Sequence, residues 1–356
     1  MAKRTCSTLA AAVACVVTAA ACGGATSLDE PAASIFGGDC VEAADRSVTI
    51  YSGRTQNLIE PVLDAFSCET GIDVAVRWGD SVDLALLLSE EGERSRADVF
   101  LSRSPGPVGF LEGEGLLAPL APEVLDLVGA ENRSGQGTWI GFSGRKRVLV
   151  RNVDLVGDDE LPGSVFDLTD PRYEGQVAIP ATNGSFVDWF TVFRDQYGDD
   201  VATEWLDAMV TNGARPYANN RSIVDAVNRG EIEMGLVNHY YTFQEAAASA
   251  DGLRAANHEL ADDDIGSLLI ITAASVTSMS ERPEEANELI AYLLSEPVQR
   301  YFSNETFEYP LAAGVEPLDI LPPLTALEIG SVDFDNLGGG FTVTNEIIEA
   351  SGILDG

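Results

Sequence analysis

Tyr240 and Tyr241 stand side by side in "GLVNHYYTF", behind an apolar run and behind His239, one of two histidines in the chain. Two phenols at that point have two readings. Adjacent aromatics after a strand serve as packing. Phenolate oxygens also bind a hard, highly charged cation such as Fe(III). A free phenol has a pKa near ~10, so ionising one at pH 7 costs about 4 kcal/mol. Two such costs are recovered only against a trivalent ion, and the protons released make binding weaken in acid. His239 is next to the pair, but alternation along a strand turns it away, and a hydrogen-bonded structural role suits it.

Other polar stretches bear on the same chemistry. "TNGSF", residues 182–186, opens a helix, and backbone N–H groups at a helix start attract anions. The same residues also make an ordinary cap. Catalytic signatures are lacking: there is no G-x-S-x-G elbow, P-loop or H-E-x-x-H. His258 lies in an acidic stretch with no nucleophile beside it in sequence. The acidic runs at 157–160 and 262–264 lack EF-hand spacing and read as solvated surface. A binder is therefore expected rather than an enzyme.

The elements that must position these residues follow an α/β grammar. "SVTIY" is a short β-branched strand ending at Tyr51. Leu58, Ile59, Val62, Leu63 and Phe66 have helical spacing, with Gly71 as the stop. "IDVAVRW" alternates as a second strand, a helix is expected from Ser81 to Glu93, and "ADVFLS" is a third strand. This β-α-β-α-β start predicts a parallel sheet with helices on its faces. "KRVLVRN", "GQVAIP", "EIEMGLVN" and "SLLIITAASVT" read as further strands. "TNGSFVDWFTVFRDQYG" and "SIVDAVNRG" read as helices. Ser280 is expected to cap a helix carrying Leu289, Ile290, Leu293 and Leu294, and Ser295 with Pro297 to start another. Ligands of such sheets bind outside the carboxyl ends of the strands. "YSGRT", "LSRSPG", "PATNGSF" and "NHYYTF" all lie there, and converge if two sheets face one cleft.

Composition bounds the setting. The chain has 356 residues, 57 acids against 21 basic residues, and a net charge of −36. No basic stripe is left to neutralise phosphates, which argues against nucleic acid as a partner. Residues 1–21 read as a signal peptide, with Lys3 and Arg4 ahead of a short apolar run. Ala19-Ala20-Ala21-Cys22 resembles a bacterial lipobox, so Cys22 is expected to carry lipid, with a plain signal cut as the alternative. Residues 22–45, rich in Gly, Ala, Ser and acid, read as a flexible tether. In an oxidising exterior Cys40 and Cys68 are expected to pair.

The chain also resembles the ferric-iron-binding substrate-binding proteins of bacterial ABC importers. The landmarks are "VTIYSGRTQNLIEPVLDAF", "TGIDV", "EEGERSRADVF", "SGRKRVLV", "PATNGSF", "RPYANN", "EIEMGLVNHYY" and "EYPLAAGV", in matching order. The resemblance implies a two-lobed class II periplasmic-binding fold. Lobe 1 would hold 46–145 with 268–320, and lobe 2 would hold 146–267 with 321–356. It implies Fe(III) on Tyr240 and Tyr241, with anion contacts from Asn183, Gly184, Ser185, Asn220 and Asn238. Many members have a histidine where Thr55 stands and a glutamate where Arg103 stands, so a histidine–glutamate–two-tyrosine shell is impossible here. Tyr51 is a candidate third phenol, with strand-end packing as the alternative. Fe(III) with two phenolates keeps one positive charge. Bicarbonate, carbonate or phosphate held by Arg54 and Arg147, with Thr55 and Arg103 nearby, would balance it. The implied partners are an importer permease and ATPase, and the chain would act as a monomer. The runner-up is an oxyanion binder or sensor of the same fold without iron.

Overall fold

The computed structural model describes residues 28–250, 252–321 and 340–355. The first half contains α1 (Glu30–Ile35), β1 (Ser47–Ser52), α2 (Gln56–Thr70), β2 (Asp73–Trp78), α3 (Ser81–Glu91), β3 (Val99–Ser102), α4 (Pro105–Gly113), α5 (Pro122–Leu125) and β4 (Trp139–Asn152). Then follow β5 (Val177–Ile179), α6 (Gly184–Tyr197), α7 (Asp199–Thr211), β6 (Arg215–Pro216), α8 (Asn220–Arg229), β7 (Met234–Asn238), α9 (Tyr240–Ala248) and β8 (Ala255–His258). The chain closes with β9 (Leu269–Val276), α10 (Pro283–Leu293), α11 (Glu296–Asn304), β10 (Tyr309–Pro310) and α12 (Phe341–Ala350).

Strand β4 makes the molecule two-lobed. Its first half, Trp139 to Lys146, pairs antiparallel with β9. Its second half, from Arg147, pairs antiparallel with β7 and β8. On one side the order is β2-β1-β3-β9-β4, and on the other β4-β7-β5-β6. Pairs β1–β2, β1–β3, β5–β6 and β5–β7 are parallel, as crossover helices require. Separate cores form. One gathers Val48, Ile50, Phe66, Val99, Phe142, Leu289 and Phe302, and the other Ile179, Phe186, Trp189, Phe190, Phe193, Trp205 and Leu236. Helix α6 supplies the second with four large aromatics, each fully buried. Each such side chain contributes about 1.5–3 kcal/mol of transfer free energy.

The expected tether does not run through residues 30–45. Asp29 caps α1 by accepting from the Ala32 N–H at 2.9 Å, and Ala32 and Ile35 are buried against the first core. The Cys40–Cys68 disulfide and the bonds from Val41 N–H to Cys68 C=O and Ala44 N–H to Gly71 C=O hold the rest against α2. A composition average hid the cap and the two apolar residues three apart. Residues 22–27, Cys22 and the signal segment lie outside the described residues.

Ser280 does not cap α10. The helix starts at Pro283 behind Arg282, while the Ser280 hydroxyl donates to Asp98 at 2.7 Å and accepts from the Arg282 N–H. Proline fixed the start, because its missing N–H costs nothing in a first turn. Helix α9 is a further difference. The two tyrosines are its first residues, so the pair follows β7 by one residue and opens a helix.

Candidate functional site

Tyr240 and Tyr241 stack with ring centroids 4.2 Å apart and planes 29° from parallel. Tyr240 is buried and Tyr241 partly exposed. Burial pushes the Tyr240 phenol well above its usual value, and Tyr241 adds to that, while the Arg145 guanidinium pulls it down. At neutral pH Tyr240 is thus a phenol, and a cation that binds it must displace its proton. Among the described residues no group of three His, Cys, Asp or Glu side chains is arranged to hold a metal ion. The two phenols are a pair of hard-oxygen donors stacked side by side.

His239 sets the turn from β7 into α9. Its backbone N–H donates to the Lys146 carbonyl at 2.9 Å, and its Nδ1 accepts from the Lys146 N–H at 3.0 Å. Nε2–H donates to the Phe307 carbonyl at 2.8 Å. Both ring nitrogens are therefore used, and burial lowers the imidazole to about 4. The ring supports the pair from behind, edge-on to Tyr240 and 5.0 Å from Tyr309.

Beside the phenols lies a polar network from the second lobe. Asn183 caps α6, accepting from the Ser185 N–H at 3.1 Å and the Ser185 hydroxyl at 2.7 Å. Asn220 Nδ2 donates to both Asn183 and Ser185, and Asn220 Oδ1 accepts from the Asn238 N–H. Arg147 enters this network from β4, donating to Asn220 Oδ1 at 3.2 Å and to the Ser185 carbonyl at 2.6 Å. Burial, then Arg145, lowers Arg147 to about 9, which leaves it charged at neutral pH. Arg147 Nε and Asn238 Oδ1 are buried and find no hydrogen-bond partner among the described residues, which leaves a donor and an acceptor unsatisfied in this network. Arg147, Asn183, Gly184, Ser185, Asn220 and Asn238 are thus brought to one corner.

Other candidates fall elsewhere. Arg54 is engaged at both Nη atoms by Glu308, at 2.9 and 2.6 Å, in a fully buried pair, so its charge is already matched within the protein. Tyr51 does not join the pair: its hydroxyl meets Glu91 at 3.0 Å and Arg77 at 3.4 Å. Thr55 sits exposed at the N-cap of α2 without a side-chain capping bond. Arg103 pairs with Asp80, and a Cβ on Gly184 would lie 2.9 Å from its Nη2, so this side chain bridges towards the second lobe. There a cavity of about 250 Å³ is lined by Asp80, Ser81, Arg103 and Ser104 from one lobe and Gly184 and Asp188 from the other, with Asn345 of α12.

Arg145, Glu308 and Asp188 were not singled out from the sequence. Arg145 is buried, bonded to the Arg103 carbonyl, and acts on Tyr240. Its signal was its place two residues before Arg147 on a strand, which aims both side chains to one face. Glu308 had none, since a lone acid in "EYP" does not name its partner.

Two α/β lobes joined through β4, with the chain crossing back between β8 and β9, around a polar cleft define a two-lobed class II periplasmic-binding fold. The chain belongs to the bacterial extracellular solute-binding protein family, matched over residues 95–331. It is 29% identical to an Fe(3+)-binding periplasmic protein of Serratia marcescens, over 88% of this chain and 92% of the relative. It is 31% identical to a major ferric iron-binding protein of Neisseria meningitidis, over 80% and 87% respectively. Among solved structures, iron-bound HitA of Pseudomonas aeruginosa superposes with a TM-score of 0.80 at 32% identity, covering 86% of this chain and 99% of that one. A Trichodesmium protein in complex with iron and citrate superposes with a TM-score of 0.70 at 25% identity, covering 87% and 98%. No helix among the described residues is long and apolar enough to cross a membrane.

Proposed function

We propose that the protein captures Fe(III) between its lobes and delivers it to an ABC importer, as an exported binding protein and not an enzyme. The observation that carries this is the stacked Tyr240–Tyr241 pair beside a buried guanidinium, Arg145, whose charge pulls against the burial that keeps Tyr240 a phenol until a cation displaces its proton. Tyr240 and Tyr241 are the iron ligands. A small oxyanion fills remaining positions, held by Arg147 and the α6 start at Asn183, Gly184 and Ser185, with Asn220 and Asn238 behind it. Each phenolate bond releases a proton, so uptake is tied to pH. The names of the relatives support iron as cargo. The permease and ATPase are the partners such a carrier requires, and lipid on Cys22 would keep it at the outer face of the membrane.

The test is a titration of the iron-free protein with Fe(III) and bicarbonate, followed by visible absorbance. One equivalent should raise a phenolate-to-iron charge-transfer band and then saturate. A colourless protein that retains no iron after gel filtration would refute the proposal. A second reading, an oxyanion carrier without iron, draws on one observation: burial keeps Tyr240 protonated next to the charged Arg147 and its amide network. Tight oxyanion binding with no iron uptake would select it.

A further inference from the structure

Ion pairs account for most of the charge around the cleft. Arg54 is matched by Glu308, Arg103 by Asp80 and Lys146 by Glu259. Arg145 and Arg147 remain, together with one acid, Asp188, which closes no ion pair among the described residues. Asp188 lies one turn along α6 from Gly184, on the same helix face, and lines the interlobe cavity with Gly184, Arg103 and Ser104. The two guanidinium groups without an ion pair among the described residues lie behind that cavity's walls, and the Asp188 carboxylate acts on both. Arg147 bonds the Ser185 carbonyl on the α6 side, and Arg145 bonds the Arg103 carbonyl on the other. Asp83, also on the cavity wall, is exposed, and water screens it.

This arrangement fixes a charge count. With neutral phenols, two guanidinium groups and one carboxylate leave one positive charge. Fe(III) on two phenolates adds one more. Net charge in a closed cleft is costly. A doubly charged oxyanion cancels it, while a triply charged one leaves an excess of negative charge. We infer that Asp188 selects the anion that travels with the iron: its carboxylate trims the cleft's positive charge to what carbonate or hydrogen phosphate balances, and disfavours a tricarboxylate. Burial pushes the Asp188 carboxyl up to about 6, against hydrogen bonding from Ser104 and the pull of Arg145 and Arg103, so it is still ionised at neutral pH.

The inference rests on the iron reading for its second half only, and the experiment separates the two. Iron-free wild type, Asp188→Asn and Asp188→Glu are titrated calorimetrically at pH 7.5 with hydrogen phosphate and with citrate. The same anions then compete for the iron-loaded proteins. Asp188→Asn is close in size, so the packing of α6 is kept, and circular dichroism checks its fold. It should bind both anions more tightly and shift the citrate-to-phosphate affinity ratio upward by about tenfold or more, the effect of one unit charge at short range in a partly buried site. Asp188→Glu should keep the wild-type ratio. An unchanged ratio in a folded Asp188→Asn protein overturns the inference, as does a wild type that binds neither anion. If anions bind and shift as stated but iron is never taken up, only the iron reading is lost.

Discussion

Arg54 and Glu308 meet at two points, Nη1 to Oε1 at 2.9 Å and Nη2 to Oε2 at 2.6 Å, with both side chains out of solvent. Thr306 donates a further bond to Glu308 at 3.0 Å. The pair ties the loop after β1 to the segment that carries His239's acceptor, Phe307. It therefore holds the floor beneath the tyrosines rather than a ligand. Removing one partner of a buried pair strands the other charge, at a cost of about 3–5 kcal/mol. Glu308→Ala and Arg54→Ala should each lose that much stability in urea unfolding, and Arg54→Lys should restore little, since lysine lacks the two-point fork. Burial alone would raise the Glu308 carboxyl, but Arg54, Arg145 and Thr306 outweigh it and hold it below its usual value. Its contribution is then fully present above about pH 4.5 and fades as pH falls through the lower folded value. A wild-type unfolding curve no steeper in acid than that of Glu308→Gln would contradict this.

The tyrosine pair gives a spectroscopic test. Tyr240→Phe and Tyr241→Phe each remove one phenolate and leave the ring in place. Each should weaken the charge-transfer band and lower iron affinity by at least about tenfold, or 1.4 kcal/mol. Two variants with the wild-type spectrum would place the iron elsewhere.

The proposed two-phenol site makes anion dependence testable. Tyr51 is engaged by Glu91 and Thr55 is exposed, so on that proposal the coordination sphere would draw on an exogenous donor. Iron titration in buffer stripped of carbonate should be weak, and bicarbonate should restore it. Arg147→Ala should reduce that restoration. Because burial and Arg145 lower Arg147 to about 9, its charge is lost as pH rises through that value, and anion binding should fall there. Acid should also weaken iron binding, by protonating the phenolates, so affinity should peak between these limits. Tight iron binding without any anion would point to a third protein ligand.

The helices and strands were legible because their signals are local. Alternation in "IDVAVRW" and the spacing of Leu58, Ile59, Val62 and Phe66 each state an element without help from distant residues. The pairings of the arginines were not. Arg54, Arg103 and Arg147 look alike in sequence. One meets Glu308 across 254 positions, one meets Asp80, and one meets a backbone carbonyl on α6. Such choices are decided by which strand ends converge. The same holds for Tyr51, whose hydroxyl is claimed by Glu91, 40 residues away.

His239 provides the last test, one that needs no iron. In the native protein its Nδ1 accepts from Lys146 and cannot take a proton without losing that bond. Burial holds the imidazole at about 4, whereas in the unfolded chain it titrates near 6.5. The unfolded state therefore binds the extra proton first as pH falls. Stability due to this group is intact above about 6.5 and is lost progressively down to about 4, by roughly 3 kcal/mol in all. Asp188 works in the opposite sense over part of this range, because its folded value is raised to about 6 and the native state takes up that proton first. The wild-type curve alone thus mixes the two, and the informative quantity is a difference. Urea unfolding of the iron-free wild type and of His239→Gln should be followed at pH 7.5, 6.5, 5.5 and 4.5. The variant should be less stable at pH 7.5, and the gap between the two proteins should narrow as pH falls, because only the wild type carries the histidine's penalty. Parallel curves across that range would mean that His239 is not held neutral, and that its bonds to Lys146 and Phe307 do not set the turn into the tyrosine pair.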